Sequence, residues 1–362
     1  MTEQVTNYQC PACTAPLAFS PKTGRLDCEF CDSSFSVEEI EALYAANNSA
    51  PIQDDPQWDV SGLEGDWGAE AEDLRAYTCP SCGAQLLCDA NTAATACPYC
   101  GNPTVVPAQF QGGLRPDYVI PFQLTKEEAI AALKNHYRGK ILLPPAFQKQ
   151  QTIEKIQGVY VPFWLYDCEA EGEFHFNAAQ IRTYRQGDYQ VTETDHYDVY
   201  RSGSMAFEKV PVDASRKMPD DYMDSIEPFD YAALKPFATS YLPGFLADRY
   251  DLSPEDCHSR VDARCAQTLE DALRNTVVGF QECIVRSRRV NLHRGKVHYA
   301  LLPVWMLNVK WEGEGYLFAI NGQTGRTVGR LPVSGGRALA LFLGLALPLS
   351  GLALLVAQLL LG

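Results

Sequence analysis

Residues 77–101 read YTCPSCGAQLLCDANTAATACPYCG, and residues 8–31 read YQCPACTAPLAFSPKTGRLDCEFC. Each stretch holds two Cys-x2-Cys pairs with fourteen residues between the inner cysteines. The second set maps on the first at one offset of 69. Two copies at identical spacing form an internal repeat. Zinc takes four soft ligands in a tetrahedron, and two facing Cys-x2-Cys turns supply them with no open position. All six histidines lie outside both copies. The expectation is two structural Zn2+ sites, one on Cys10, Cys13, Cys28 and Cys31, the other on Cys79, Cys82, Cys97 and Cys100. Each would hold together a small zinc ribbon, over 8–35 and 77–107, that has too little core of its own.

The chain carries thirteen cysteines, and its start, MTEQVTNYQC, has neither a basic segment nor an apolar run. The pairs therefore read as metal ligands in a reducing compartment and not as a disulfide framework. Cys88 has no repeat partner and reads as a packed or free thiol; Cys168, Cys257, Cys265 and Cys283 have no metal spacing.

Between the ribbons, 36–76 carries eleven acids against Arg75 alone, with Pro51, Pro56, Gly62, Gly65 and Gly68. Ser36 and Glu39 fit a capping box at the head of a short helix, and the remainder reads as an acidic flexible linker. From 108 to 331 the pattern is that of an α+β domain. LTKEEAIAALKNHYRG predicts a helix capped by Thr125, with Glu128 at the capping-box position and Gly139 as its stop. GVYVPFWLYD predicts a buried strand, and 173–201 alternates about a Gln186-Gly187-Asp188 turn. SPEDCHSRVDARCAQTLEDALRNTV predicts a long amphipathic helix with Ser253 as cap and Pro254 at its first position. Strands return with HYALLPVWMLNVKW and YLFAI, then a hairpin through Asn321-Gly322 to Val328. Pro162/Pro303, Trp164/Trp305 and the Glu-Gly-Glu triplets at 171–173 and 312–314 recur at offset 141. That predicts two related sheet modules, with the Pro-x-Trp pairs on strands and the triplets on tight turns.

Residues 338–361 are 24 consecutive uncharged residues rich in Leu and Ala, with Pro348 as an expected kink. At about 1.5 Å per residue they make roughly 36 Å of helix, enough to cross a hydrocarbon core of about 30 Å. Arg326, Arg330 and Arg337 precede the span, and no acid follows Glu314. Positive flanking charge predicts a single-pass, tail-anchored protein of the inner membrane with its bulk in the cytoplasm.

At 46% hydrophobic and 21% charged the chain is globular, and its net charge of −15 is uneven. Residues 1–107 hold sixteen acids and only Lys22, Arg25 and Arg75, which accounts for thirteen of the fifteen surplus negative charges. The second ribbon has no Lys or Arg, so phosphate contact there would be repulsive, and protein recognition is the better use of such a surface. The basic cluster RSRRVNLHRGK supplies Arg286, Arg288, Arg289, Arg294 and Lys296, which with Arg330 and Arg337 are candidates for the membrane surface. A solvated strand edge is the plainer reading of that cluster. No G-x-x-x-x-G-K-[ST], G-x-S-x-G or H-E-x-x-H motif occurs, which excludes a P-loop motor and offers no catalytic residue.

With the two ribbons, TAATACPYCGNPTVVPAQFQGGLRPDYVIPF (92–122), GVYVPFWLYD (158–167), YRSGSMAFEKVPVDASRKMPDDYMDSIEPFDY (200–231) and NGQTGRTVGRLPV (321–333) on the page, the chain resembles a bacterial family. Its members are tail-anchored membrane proteins with TFIIB-type zinc ribbons, often labelled primosomal-protein or helicase-like. The resemblance spans nearly the whole chain; Thr14 departs from it, standing where Gly usually follows the first knuckle. It implies work beside SPFH-domain (flotillin-like) and phage-shock-type membrane proteins. The reading is a non-enzymatic, membrane-anchored adaptor for cytoplasmic protein partners, able to pair with itself or a second integral protein. A nucleic-acid binder of replication or transcription is the alternative, and an enzyme acting through a pocket near Trp164 or Trp305 is a third.

Overall fold

A computed structural model describes residues 17–20, 25–28, 33–36, 39, 57–63, 65, 67–89, 92, 96–103, 105–108 and 113–361. The strands are β1 (Leu17–Ser20), β2 (Arg25–Cys28), β3 (Ser34–Phe35), β4 (Leu74–Thr78), β5 (Gln85–Asp89), β6 (Val106–Ala108), β7 (Tyr118–Val119), β8 (Gln157–Gln186), β9 (Tyr189–Asp213), β10 (Lys235–Pro236), β11 (Leu246–Asp248), β12 (Glu282–Trp311), β13 (Glu314–Asn321) and β14 (Thr327–Gly329). The α-helices are Lys126–His136, Pro145–Gln148, Gln150–Ile153, Asp220–Ile226, Pro254–Arg274 and Gly335–Leu361. The mixed α+β class is therefore as expected. The chain divides into a larger unit, Trp58–Asp167, Glu208–Val261 and Gly295–Gly362, and a smaller one containing Cys168–Phe207 and Asp262–Arg294.

In the larger unit the sheet runs β10-β7-β12-β8-β11-β5-β4-β6, with β13 added on β12 and β14 on β13. Side chains alternate across a strand, and β12 shows both consequences. Ala300, Leu302, Val304 and Met306 join one core with Val159, Val161, Phe163 and Leu165 of β8. Trp305, Leu307 and Val309 join the other, with Phe318 and Ile320 of β13 and Ala129 and Leu133 of the helix Lys126–His136. Burial on both faces explains why VPFWLY and YALLPVWML are continuous apolar runs. The Thr125 cap is as expected: its Oγ1 accepts from the Glu128 N–H while the Glu128 carboxylate accepts from the Thr125 N–H. Trp164 and Trp305 are core residues, their indole N–H groups donating to the carbonyls of Leu252 and Leu124 at 3.0 and 3.2 Å.

Two expectations are corrected in this unit. The described residues of 58–76 are not linker. Trp58, Leu63 and Trp67 are buried, the Trp67 indole donates to Gly113 O at 3.1 Å, and Arg115 pairs with Glu70 at 2.9 Å. Two large indoles in an acidic stretch bury enough apolar area to outweigh its polarity. Of the remainder, the Ser36/Glu39 capping-box bonds are present at 2.8 and 3.0 Å, and residues 37, 38, 40–56, 64 and 66 lie outside the described residues. Nor is the second ribbon a freestanding module over 77–107, since its residues Ala84, Leu86, Cys88 and Tyr99 belong to the same core as β8 and β12.

In the smaller unit Phe174, Phe176 and Ala178 are buried on alternate positions of β8, and Phe174 stacks on Phe176 with centroids 5.9 Å apart. The Glu-Gly-Glu match fails here. Glu312 and Gly313 form a turn at φ 51° and 86°, but Gly172 lies inside β8, where a Cβ would stand 2.6 Å from Phe174 Cε2 and 2.9 Å from Leu269 Cδ2. One glycine is there for a turn and the other for close packing. The turn at Gly187, φ 63°, is as expected.

The helix Gly335–Leu361 is long and apolar enough to cross a membrane, by length and composition. It begins three residues before the expected span, carries Pro348 inside it, and its stretch Gly335–Ala353 is unburied.

Candidate metal centre

The strands β4 and β5 pair antiparallel, Tyr77 opposite Leu86 and Thr78 opposite Gln85, and lead into a tight turn at Cys79–Gly83. There the Gly83 N–H donates to Cys79 O at 2.8 Å and the Cys79 N–H to Ala84 O at 2.9 Å. The second knuckle repeats this bond for bond: Gly101 N–H to Cys97 O at 2.9 Å, and Cys97 N–H to Asn102 O at 2.9 Å. Both turns need a left-handed residue just after the second cysteine, and Gly83 and Gly101 supply it at φ 73° and 66°. Curling the backbone this way turns N–H groups inward toward the sulfurs.

The four sulfurs of Cys79, Cys82, Cys97 and Cys100 lie within 4.8 Å of one another. The contacts Cys79–Cys100 and Cys82–Cys97 are 3.7 and 3.6 Å. Metal–sulfur bonds of about 2.3 Å in a tetrahedron give an edge of about 3.8 Å, so the thiols fit one closed, four-thiolate metal site. Burial raises the Cys79 thiol, but N–H groups of Cys82 and Ser81 outweigh it and bring the group down to about 7. Burial raises Cys82 and Cys97. A cation at the centre is what would hold all four as thiolates.

The site is fastened to the sheet from several sides. The Tyr99 hydroxyl, between two ligands, donates to Asp248 Oδ2 at 2.6 Å, and the Ser215 hydroxyl donates to the same oxygen at 2.7 Å. Asn308 Nδ2 donates to Tyr99 O at 2.6 Å. β5 continues into β11 through Leu86 opposite Asp248. Burial pushes Asp248 up to about 6 against the opposing Tyr99, Lys217 and Ser215. Asp248, Ser215 and Asn308 were not legible as partners of the site; the glycine following each knuckle was the one local signal.

Of the first set, Cys10, Cys13 and Cys31 lie outside the described residues. Cys28 ends β2 of a three-stranded sheet, β1-β2-β3, in which Leu17 faces Cys28. Cys88 is a packed thiol, its Sγ 3.0 Å from Thr92 O. Cys168 and Cys265, 97 residues apart, meet with sulfurs at 3.5 Å inside the smaller unit, a juxtaposition that no spacing announced.

The basic candidates are largely matched by acids. Arg294 meets Asp262 at 2.7 Å with both side chains buried to about a tenth exposure, and Arg288 meets Glu270 at 3.0 Å. Arg289 lies 3.7 Å from Glu173 and Arg286 lies 3.9 Å from Asp198. Lys296 pairs with Asp59 through a backbone β-bridge and not an ion pair, and Arg330 meets Glu314 at 3.2 Å over the Tyr316 ring. Arg337 instead donates to the carbonyls of Ile141 and Leu143.

No family model matches the chain, and no solved structure does. It is 34% identical over 344 residues to the uncharacterized protein YdjG of Bacillus subtilis (strain 168), a match covering 94% of each chain.

Proposed function

The chain belongs to one family with YdjG, and from that premise we propose that it is a non-enzymatic, membrane-anchored zinc-binding adaptor that recruits cytoplasmic proteins to a membrane. One observation carries the reading: the closed four-cysteine site shares a core with the unit that ends in the candidate membrane helix. A site with four thiolates leaves no position for substrate, and its chemistry is to hold a fold. Zn2+ is the ion this donor set favours. A second Zn2+ on Cys10, Cys13, Cys28 and Cys31 follows from the repeat, on an acidic segment that suits protein contacts and repels phosphate. Arg326 and Arg330 ahead of Gly335–Leu361, with Arg337 in its first turn, support a cytoplasmic placement. SPFH-type and phage-shock-type proteins are the partners that the family resemblance proposes.

Affinity purification of the intact chain from native membranes, beside a Cys10→Ser/Cys13→Ser variant, tests this. The first ribbon is the one to change, because substitutions at Cys79 would disturb the shared core. Membrane-scaffold proteins recovered with the intact chain and lost from the variant are the expected result. Nucleic acid or replication proteins in their place would favour the alternative reading.

A further inference from the structure

An open cleft of about 780 Å³ lies in the larger unit, at the foot of the helix Gly335–Leu361. Its wall carries Lys134 and Arg138 from the end of the helix Lys126–His136 and its following turn, then Lys140, together with Arg337. Among the described residues no carboxylate lines it. Among the described residues none of these four cations makes an ion pair, in a chain whose net charge is −15 and whose other basic cluster is matched by acids. Four unneutralised cations in one concavity repel one another, and an anion is what relieves that.

The position of the cleft selects the anion. Arg337 donates through Nη1 to Leu143 O at 2.6 Å and Ile141 O at 3.3 Å, and the Ser334 N–H donates to Leu142 O at 2.9 Å. The turn 139–143 is thereby tied to the first turn of the apolar helix. Ile141, on the rim, is 63% exposed. An exposed aliphatic side chain among cations, beside the start of a span, is the pattern of a surface that meets headgroups with its charges and acyl chains with its apolar tip.

We propose that this cleft binds the phosphate of an anionic phospholipid headgroup, with Lys134, Arg138, Lys140 and Arg337 as its ligands. The inference rests on Gly335–Leu361 being a membrane span. Arg138 offers a planar donor fork suited to phosphate oxygens, and the lysines add point charge. The volume falls within the range of small-ligand sites, about 300–1,000 Å³.

The test uses the full chain purified in detergent, with lipid adducts counted by native mass spectrometry for phosphatidylglycerol and phosphatidylcholine of the same acyl chains. Each cation near an anionic surface is worth about fivefold in binding, so a preference of about tenfold or more for phosphatidylglycerol is expected. Lys134→Ala/Arg138→Ala/Lys140→Ala should abolish it. Lys126→Ala/Lys235→Ala/Lys310→Ala, which removes the same charge from exposed positions elsewhere, should retain it. Equal affinity for the two lipids, or equal loss in both triple variants, would overturn the proposal. Displacement by soluble glycerol phosphate at the same concentration as the lipid would overturn the lipid source and leave a site for a free phosphate ester. Alkaline carbonate extraction of native membranes tests the span separately: release of the chain defeats the span, while the adduct ratios report on the cleft.

Discussion

If the second four-cysteine site were a bead on a flexible string, stripping its metal would leave the α+β core untouched. The shared core makes the opposite prediction. Leu86 and Tyr99 are buried in the core shared with β8 and β12, Leu87 is buried on the ribbon strand β5, and each is worth about 2 kcal/mol when fully buried. Unravelling the knuckles also removes the Tyr99 hydroxyl from Asp248, leaving a buried acceptor short of a donor at about 1–3 kcal/mol. The sum, about 8 kcal/mol, is comparable with the whole stability of a domain, about 5–15 kcal/mol. Cys97→Ser, or a strong chelator added to the intact chain, should therefore lower the unfolding midpoint of the larger unit by about 15–30 °C. The readout is near-ultraviolet circular dichroism or tryptophan fluorescence of the full chain in detergent, because Trp58, Trp164 and Trp305 all report on that unit. An unchanged midpoint in chain shown by metal analysis to have lost its ion would refute the shared-core argument.

Two further outcomes test separate parts of the structure. Burial pushes Asp248 up to about 6, so between pH about 4 and 6 the folded chain holds a proton that the unfolded chain has released. Its contribution to stability is thus most favourable below about 4 and falls by about 3 kcal/mol as pH rises through that window. Asp248→Asn should gain on the wild type by up to that amount between pH 4.5 and 7 in urea unfolding; a gap that does not change with pH would sink the assignment. Gly172→Ala, with its Cβ forced against Phe174 and Leu269, should cost about 1–3 kcal/mol through overpacking. A neutral result by chemical denaturation would mean that the triplet at 171–173 is not held in a packed strand.

What the chain's local chemistry governs is legible in the sequence. The knuckles, the capping box at Thr125–Glu128, the turn at Gly187 and the apolar run from 338 each depend on residues within a few positions of one another. Hydrogen-bond reach, left-handed glycine conformations and helix length are properties of short segments, and short segments are what periodicity and spacing describe.

Tertiary structure decided the rest, because it turns on contacts between residues far apart in the chain. Trp58 and Trp67 anchor a segment whose composition is that of a linker, since two buried indoles outweigh many solvated acids and the charges need only stay at the surface. β5 of the ribbon joins β11, 160 residues on from Leu87 to Ala247, so that a self-contained module became part of a larger core. The two Glu-Gly-Glu triplets are identical in letters and different in structure, one at a turn and one under Leu269, because only the neighbours differ. The same holds for charge. Arg288 and Arg294 look like free cations in sequence and are met by Glu270 and Asp262, whereas Lys134, Arg138, Lys140 and Arg337, spread over 204 positions, converge without an acid between them. Sequence gives each side chain's charge; the fold alone decides what faces it.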